Sequence, residues 1–278
     1  MNRSRRVLVV ALVLLATVPP LHGWQAPPPV APVSLSLEEM DAFLRTAKVI
    51  KKKRAKKGVT DTIQATLSDG RITHDAQIQT VDIERALFTA GKASETNFKD
   101  AYRYNIGGYQ LARLLGMTNV PMSVKRRVDG DDAAMTWWID DVQFDEEGRL
   151  KHPQRHGPNP ERTAKQLATR LVFDELIQNR DRNQGNFIWT KDWTLWLIDH
   201  TRAFRLGKEL LKPEQLTRCD RALLTAMRGL TFAAMEKAMG DVMRKDEMEA
   251  VLTRRDLLVK HFEDRIARIG EASVLFTM

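Results

Sequence analysis

The fold is decided by two short stretches in the second half of the chain, IQNRDRNQGNFI (residues 177–188) and LIDH (residues 197–200). A helical pattern ends in the first stretch, and a polar loop then carries Asp181 and Asn186. A short predicted hairpin follows, and its second strand delivers Asp199. This order places two carboxylates and one amide where neighbouring helices and strands end, and we expect the three side chains to face one cleft.

Asp181, Asn186 and Asp199 all supply oxygen ligands or proton acceptors. Hard cations such as Mg²⁺ prefer these ligands, together with phosphate oxygens. Phosphoryl transfer uses one aspartate to orient or deprotonate the attacking hydroxyl, while a nearby asparagine and a later aspartate hold the metal. The residues alone also leave a plainer alternative open, in which Asp181 and Arg182 form a surface ion pair and Asn186 is a turn residue.

Two segments resemble the catalytic and metal loops of the atypical kinase superfamily, NRDRNQGNFIW (residues 179–189) and LWLIDHTRAF (residues 195–204). That superfamily includes phosphatidylinositol 3- and 4-kinases, HipA-type kinases and secretory-pathway kinases of the Golgi casein kinase type. YRYNIGGYQLARLLGMTNVPMSV (residues 102–124) resembles the helix and following strand of their small lobe. The resemblance implies an α+β, two-lobed protein-kinase-like fold, with a small β-rich N-lobe around one main helix and a mostly helical C-lobe.

Carried onto this chain, the resemblance implies that Asp181 is the catalytic base or orienter and that Asn186 and Asp199 bind the metal. The cofactors implied are ATP or another nucleotide and Mg²⁺ or Mn²⁺. The residues implied to contact the nucleotide are Gln79, Trp138, Asp140 and Arg182. Trp138 and Asp140 belong to the strand end and hinge that would lie near the adenine.

The chain departs from the family pattern at several positions. Gln79 stands where the phosphate-gripping lysine is expected, and Asn105 stands where its glutamate partner is expected. Asn183 replaces the histidine of the catalytic loop, and Ser68-Asp69-Gly70 is the nearest approach to a glycine-rich loop. Four other basic residues remain open as phosphate contacts: Lys92, Lys99, Lys125 and Arg127.

The implied activity is ATP- and metal-dependent transfer of a phosphoryl group to a hydroxyl of a protein, a lipid or a small molecule. The departures keep a second hypothesis open, namely a catalytically impaired pseudokinase that binds nucleotide or acts as an envelope scaffold. We expect a monomer. The single cysteine, Cys219, excludes an intrachain disulfide and a multi-cysteine metal site.

The start of the chain has the layout of a secretory signal peptide over residues 1–23. Three arginines precede a twelve-residue uncharged run, Val7 to Val18, which is too short for a membrane-spanning helix of about 20 residues. Pro19 and Pro20 then interrupt the run. The pattern predicts export to the periplasm or the cell exterior in a bacterial protein, with an uncleaved anchor as the alternative.

The net charge of +8 is concentrated in two places. Three arginines belong to the predicted signal peptide, and six cations occupy one run: Lys51, Lys52, Lys53, Arg54, Lys56 and Lys57. The remaining sequence is near neutral, which argues against a nucleic-acid-binding domain. The basic run is interpreted as a solvated helix end, or alternatively as a contact with an anionic membrane surface.

The sequence predicts four segments: the signal peptide (1–23), a linker with a basic amphipathic helix (24–58), the N-lobe (59–150) and the C-lobe (151–278). Ser36 and Glu39 form a capping-box pattern, from which the amphipathic helix extends to the basic run. The predicted N-lobe elements are a hairpin around residues 68–70, a helix over residues 97–115, and strands over residues 120–128 and 134–142. In the C-lobe we expect a loop over residues 151–160, a helix ending near residue 179, short strands near residues 187–190 and 195–198, and helices from residue 208 to residue 269.

Overall fold

The computed structural model describes residues 35–54, 62–90 and 93–278. The predicted signal peptide, Lys56, Lys57 and Lys92 lie outside these residues. The described helices are α1 (Leu37–Thr46), α2 (Arg103–Leu114), α3 (Glu146–Lys151), α4 (Pro160–Leu176), α5 (Arg221–Gly229), α6 (Phe232–Met239), α7 (Lys245–Ile269) and α8 (Glu271–Val274). The described strands are β1 (Lys48–Arg54), β2 (Ile63–Ser68), β3 (Thr73–Gln79), β4 (Asp82–Ala90), β5 (Ala93–Ala101), β6 (Ser123–Val128), β7 (Asp131–Trp137), β8 (Val142–Asp145), β9 (Phe187–Thr190), β10 (Leu195–Leu197), β11 (Cys219–Asp220) and β12 (Leu275–Phe276).

A five-stranded antiparallel sheet with the order β1-β2-β3-β7-β6 forms the N-terminal part. The predicted hairpin between β2 and β3 is confirmed, with Ser68 opposite Thr73. Gly70 takes a positive φ of 86° in its turn, and the Asp69 carboxylate accepts hydrogen bonds from two backbone N–H groups beyond it. Helices α1 and α2 both pack against β6 and β7, and the capping box at Ser36 that opens α1 is confirmed.

The two faces of this sheet differ in character because side chains alternate along each strand. The apolar face of β2 and β3 carries four almost fully buried side chains: Ala65, Leu67, Ala76 and Ile78. The opposite face of the same strands is polar: Gln64, Thr66, Asp75, Gln77 and Gln79. Asp75 accepts hydrogen bonds from Gln64 and Thr66 at 2.6 and 2.7 Å.

The prediction that the basic run ends a helix is wrong. Helix α1 ends at Thr46, and residues Lys48–Arg54 form the edge strand β1, which pairs with β2. An edge strand leaves lysine side chains in solvent as readily as a helix end does, so the charge pattern does not separate the two conformations. Pairing with β2, a tertiary contact, decides between them.

The predicted helix over residues 97–115 is confirmed only from Arg103 onward, because its first residues belong to β5. Strands β4 and β5 form an antiparallel hairpin inserted between β3 and α2, which the sequence did not predict. The base of this hairpin is tied to the later chain, since the backbone N–H of Ala101 donates to the carbonyl of Thr201 at 2.9 Å.

The C-terminal part is mostly helical, as predicted. Helix α7 packs against α4, α5 and α6, and α6 also contacts α2 of the N-terminal part. The predicted hairpin of β9 and β10 is confirmed, and β8 joins its open edge. Residues 208–218 are irregular apart from a short 3₁₀ turn, so helical structure after α4 resumes only at Arg221. None of the described helices is both long and apolar enough to cross a membrane.

Candidate active site

The loop after α4 carries Asp181 on a short, hydrogen-bonded turn. The chain leaves the helix through Gln178, which has a positive φ of 47°, and Asn179 then accepts the backbone N–H of Asp181 at 3.0 Å. The Asp181 side chain is 41% exposed, and its Oδ2 lies 3.6 Å from Nη1 of Arg202. A reachable carboxylate with a cation beside it fits the role of base or orienter implied by the resemblance.

Asn186 closes the same loop and is held by its amide nitrogen. Its Nδ2 donates to the backbone carbonyl of Asp181 at 2.9 Å, and the residue is 8% exposed. The amide oxygen accepts no hydrogen bond from the residues that the structure describes. That oxygen is therefore the atom that Asn186 can offer to a cation.

Asp199 follows β10 in a left-handed backbone conformation with φ 53°. Its Oδ1 accepts a hydrogen bond from the Thr201 hydroxyl at 3.0 Å. Burial raises the pKa of the Asp199 carboxyl, and the Thr201 hydrogen bonds oppose that shift only in part. The carboxylate consequently lacks enough local compensation for its charge, which a cation would supply.

Arg182 connects these loop residues, and its predicted contact with a nucleotide stays a prediction. Its Nε bonds Asp174 of α4 at 3.0 Å, and its Nη1 donates to the backbone carbonyls of Ile198 and Asn186 at 2.5 and 3.2 Å. The side chain is only 5% exposed. One guanidinium thus holds the Asn186 backbone beside the residue that precedes Asp199.

Gln79 and Asn105 meet each other inside the molecule. The Nδ2 of Asn105 donates to Oε1 of Gln79 at 2.6 Å, and both residues are nearly fully buried. Oδ1 of Asn105 accepts the backbone N–H of His200 at 2.7 Å. The two positions aligned with the family ion pair are therefore partners here, but as a neutral amide pair that joins the sheet to the residue after Asp199.

Trp138 and Asp140 lie where the chain leaves β7. Trp137 packs against Phe43 and stacks on His74 with ring centroids 3.8 Å apart, whereas Trp138 lines a surface groove beside the start of β3. The exposed Asp140 carboxylate pairs with Nε2 of His74 at 2.8 Å. Their predicted contact with a nucleotide base stays a prediction.

Three of the four basic residues left open for phosphate are engaged elsewhere, and the fourth, Lys92, lies outside the described residues. Lys99 is buried beside Glu247 at 3.3 Å, Lys125 pairs with Asp132 at 2.8 Å, and Arg127 donates to the carbonyl of Gly130. The cation beside Asp181 is instead Arg202, which also bonds Glu95 of the β4–β5 hairpin at 2.6 Å.

Asp100, at the end of β5, was missed by the sequence reasoning. It is 7% exposed, and its Oδ1 has no hydrogen-bond partner among the described residues. Burial raises the pKa of its carboxyl, the Thr201 hydroxyl lowers it, and Asp181 raises it further. No motif marks this position, and only the tertiary contact of β5 with Thr201 reveals it.

The described residues contain no group of three His, Cys, Asp or Glu side chains that could hold a metal by themselves. Cys219 is buried, and burial raises the pKa of its thiol to about 12. A cation at this site would depend on Asp199, the Asn186 amide oxygen and oxygens from a bound phosphate.

Several solved structures have a fold similar to that of this chain. The hydra Fam20 structure with sugar superposes with a TM-score of 0.66 at 14% identity, over 86% of this chain and 92% of that one. The Golgi casein kinase with Mn/ADP bound gives a TM-score of 0.64 at 13% identity, over 86% and 78% of the two chains. The Helicobacter pylori proinflammatory kinase CtkA gives 0.52 at 10% identity, over 82% and 98%.

The chain has a kinase-like fold. The predicted fold class, and the resemblance as far as it concerns the fold, are thereby confirmed. No family model matches the sequence, and no curated protein matches it either.

Proposed function

We propose that the protein is a metal-dependent phosphotransferase that moves a phosphoryl group from a nucleotide to a hydroxyl. The observation that carries this proposal is the convergence of Asp181, Asn186 and Asp199, with Arg182 bonded to the backbone on both sides of the cleft loop. The kinase-like fold supports the same reaction class.

Asp199 and the amide oxygen of Asn186 would hold Mg²⁺ or Mn²⁺. The similar Golgi casein kinase was solved with Mn/ADP, which supports a nucleotide and a divalent metal as cofactors here. The metal would neutralise charge on the phosphate oxygens during transfer. The uncompensated Asp199 carboxylate is the group that would gain most from that cation.

Asp181 would orient the acceptor hydroxyl or accept its proton. Its exposed carboxylate can reach a substrate, and the Arg202 guanidinium lies 3.6 Å away from it. Arg202 is itself 25% exposed, so it can also face a phosphate oxygen. These two side chains give the site one acceptor and one cation without any contribution from Gln79.

The amide pair of Gln79 and Asn105 favours a second candidate, a nucleotide-binding protein that does not turn over. A phosphate-gripping lysine supplies positive charge to the phosphates, and the neutral Gln79 does not.

Export of the chain and its place in the cell envelope are proposed from the sequence of residues 1–23, and cell fractionation with and without that segment tests them.

The decisive experiment compares ATP turnover by the wild type and by Asp199→Asn with Mg²⁺ or Mn²⁺. The matched control is Asp264→Asn, which removes an exposed carboxylate from α7. We expect Asp199→Asn to lose about 100-fold or more of the activity and the control to retain it. Equal activity of all three proteins contradicts the enzymatic proposal. Metal-dependent thermal stabilisation by ADP without any turnover by the wild type supports the second candidate.

A further inference from the structure

A buried carboxylate, Asp100, lies beside the Asp199 loop. The Thr201 hydroxyl donates to Oδ1 of Asp199 at 3.0 Å, and the backbone carbonyl of Thr201 accepts the N–H of Ala101, the residue after Asp100, at 2.9 Å. A hydroxyl has one proton, and the Thr201 proton is directed to Asp199. The Oδ1 of Asp100 is without a partner in the described chain, and the residue is 7% exposed.

The guanidinium groups around this site are bonded to other acceptors. Arg202 and Arg205 both pair with Glu95, at 2.6 and 2.9 Å. Arg182 donates to the backbone carbonyls of Asn186 and Ile198. The buried, unpartnered oxygen of Asp100 therefore requires a bound cation or a proton.

We infer that Asp100 is a further ligand of the divalent cation, an acid that enters from β5. The inference rests on the proposed function and names a residue that the family pattern did not indicate. Asn105, five positions later on α2, stands where that pattern expects an acid. Asp100 places a carboxylate near the Asp199 loop, because the hydrogen bond between Ala101 and Thr201 holds the end of β5 against that loop.

This arrangement predicts a cation site that is completed by a nucleotide. The described side chains include no self-sufficient group of three ligands, so phosphate oxygens must fill the remaining positions. Mn²⁺ should therefore bind weakly to the protein alone and more tightly when ADP is present.

The test measures Mn²⁺ binding by electron paramagnetic resonance, with and without ADP, for the wild type, Asp100→Asn and the control Asp82→Asn from the same hairpin. We expect Asp100→Asn to weaken Mn²⁺ binding about 10- to 100-fold in the presence of ADP, with the control unchanged. Asp100→Glu keeps the charge and should give an intermediate affinity, and it serves as the second variant if Asp100→Asn does not fold.

Two outcomes separate this inference from the proposed function. If the wild type binds no Mn²⁺ even with ADP, the phosphotransferase proposal fails. If the wild type binds Mn²⁺ and Asp100→Asn binds it equally well, the role of Asp100 alone is overturned and a proton on its carboxyl takes the place of the cation.

A second feature stands apart from this site, a basic groove between the two open edges of the five-stranded sheet. Strand β1 lines one side and the end of β6 lines the other, around a volume of about 440 Å³. The groove is lined by five cations and one carboxylate: Lys48, Lys51, Lys52, Arg126, Arg127 and Asp129. Of the five cations, Lys52 is the one that forms an ion pair with Asp129 in the described part of the chain.

Lysines on an edge strand commonly prevent aggregation, and a single charged edge would need no further explanation. Here two edges present cations to the same space, so their mutual repulsion favours an anionic occupant. Both flanking strands also lack a neighbour on this side, which leaves backbone groups that an extended chain can pair with. We propose that the groove binds an acidic peptide segment in the extended conformation, by adding a strand to the sheet.

The probe is a fluorescein-labelled peptide of five alternating Glu-Val pairs, measured by fluorescence anisotropy. The groove variant is a double substitution, Lys48→Glu and Arg127→Glu. The control is a second double variant, Lys53→Glu and Arg113→Glu, which changes the charge equally at residues outside the groove. We expect the first pair to weaken binding at least about 10-fold, because like charges then face the peptide. N-methylation of the valines should abolish binding.

Three results would overturn this proposal. An equal loss of peptide affinity in both charge variants indicates a general electrostatic effect. Undiminished binding of the N-methylated peptide excludes strand addition. Binding of phosphatidylglycerol vesicles but not of the peptide would favour the anionic membrane contact expected for the basic run.

Discussion

Glu247 joins the two halves of the molecule, and its substitution should destabilise the whole fold. It lies on α7 with no exposed surface, and it accepts hydrogen bonds from Arg103 and Tyr104 of α2 at 2.6–2.8 Å. Lys99 of β5 lies 3.3 Å away. The carboxylate therefore anchors both the main N-lobe helix and the inserted hairpin to the C-terminal part.

The hydrogen bonds and charges around Glu247 outweigh its burial. They lower its pKa from the ordinary 4.5 to about 2. That difference between the unfolded and folded pKa corresponds to roughly 3 kcal/mol of stability. Because the folded pKa is depressed, this contribution is fully present above pH 4.5 and is lost as the pH falls towards 2. Removing the charge while Arg103 and Lys99 remain should cost a similar amount.

The assay is urea unfolding of the wild type, Glu247→Gln and the control Glu263→Gln at several pH values from 7 to 3. We expect Glu247→Gln to lose roughly 3 kcal/mol at pH 7 and the deficit to shrink below pH 4.5, since the protonated wild type then resembles the variant. Glu263 forms a half-exposed pair with Arg228, so its variant should lose less than about 1 kcal/mol. A deficit that is independent of pH, or no larger than that of the control, refutes this reasoning.

Three further substitutions, one of them with a matched control, test the local structure. Arg182→Lys keeps the charge but loses the forked contact to two backbone carbonyls, so thermal unfolding should show a loss of about 1–3 kcal/mol. Gly157→Ala should lower the free energy of unfolding by about 1–3 kcal/mol, because φ at this position is 69° and the new Cβ would lie 2.8 Å from the Trp193 ring. In the control, Gly229→Ala, the new Cβ meets open space, so the protein should be equally stable or more stable. Asn105→Ala should cost about 1–3 kcal/mol for each polar partner left unpaired in the core, and retained stability in chemical denaturation would contradict the bridging role.

The local patterns predicted much of the fold and the core of the site. The capping box at Ser36, the β2–β3 hairpin and the β9–β10 hairpin each depend on residues close together in the chain, and all three are confirmed. Asp181 and Asn186 lie in one loop, so their spacing alone predicted their proximity. Their catalytic and metal-binding roles remain predictions.

The long-range contacts could not be predicted in the same way. The basic run was assigned to a helix because its charge suits a helix end, and pairing with β2 makes it a strand. The β4–β5 hairpin was missed, and with it Asp100, which the hydrogen bond between Ala101 and Thr201 brings to the site. The resemblance assigned Arg182 to the nucleotide, and the packing that bonds its guanidinium to two backbone carbonyls could not be read from the sequence.

The order of the polar loop and of the strand that precedes Asp199 follows from the amino-acid sequence, because turn residues and alternating side chains act over a few positions. The contacts of Gln79 with Asn105 and of Asn105 with His200 arise only when the chain packs, since they span 26 and 95 residues. Those contacts form when the sheet, α2 and the Asp199 loop bury their polar groups together, since each buried amide must find a partner within the folded chain. Such pairing depends on the packing of the whole domain, which local spacing does not encode.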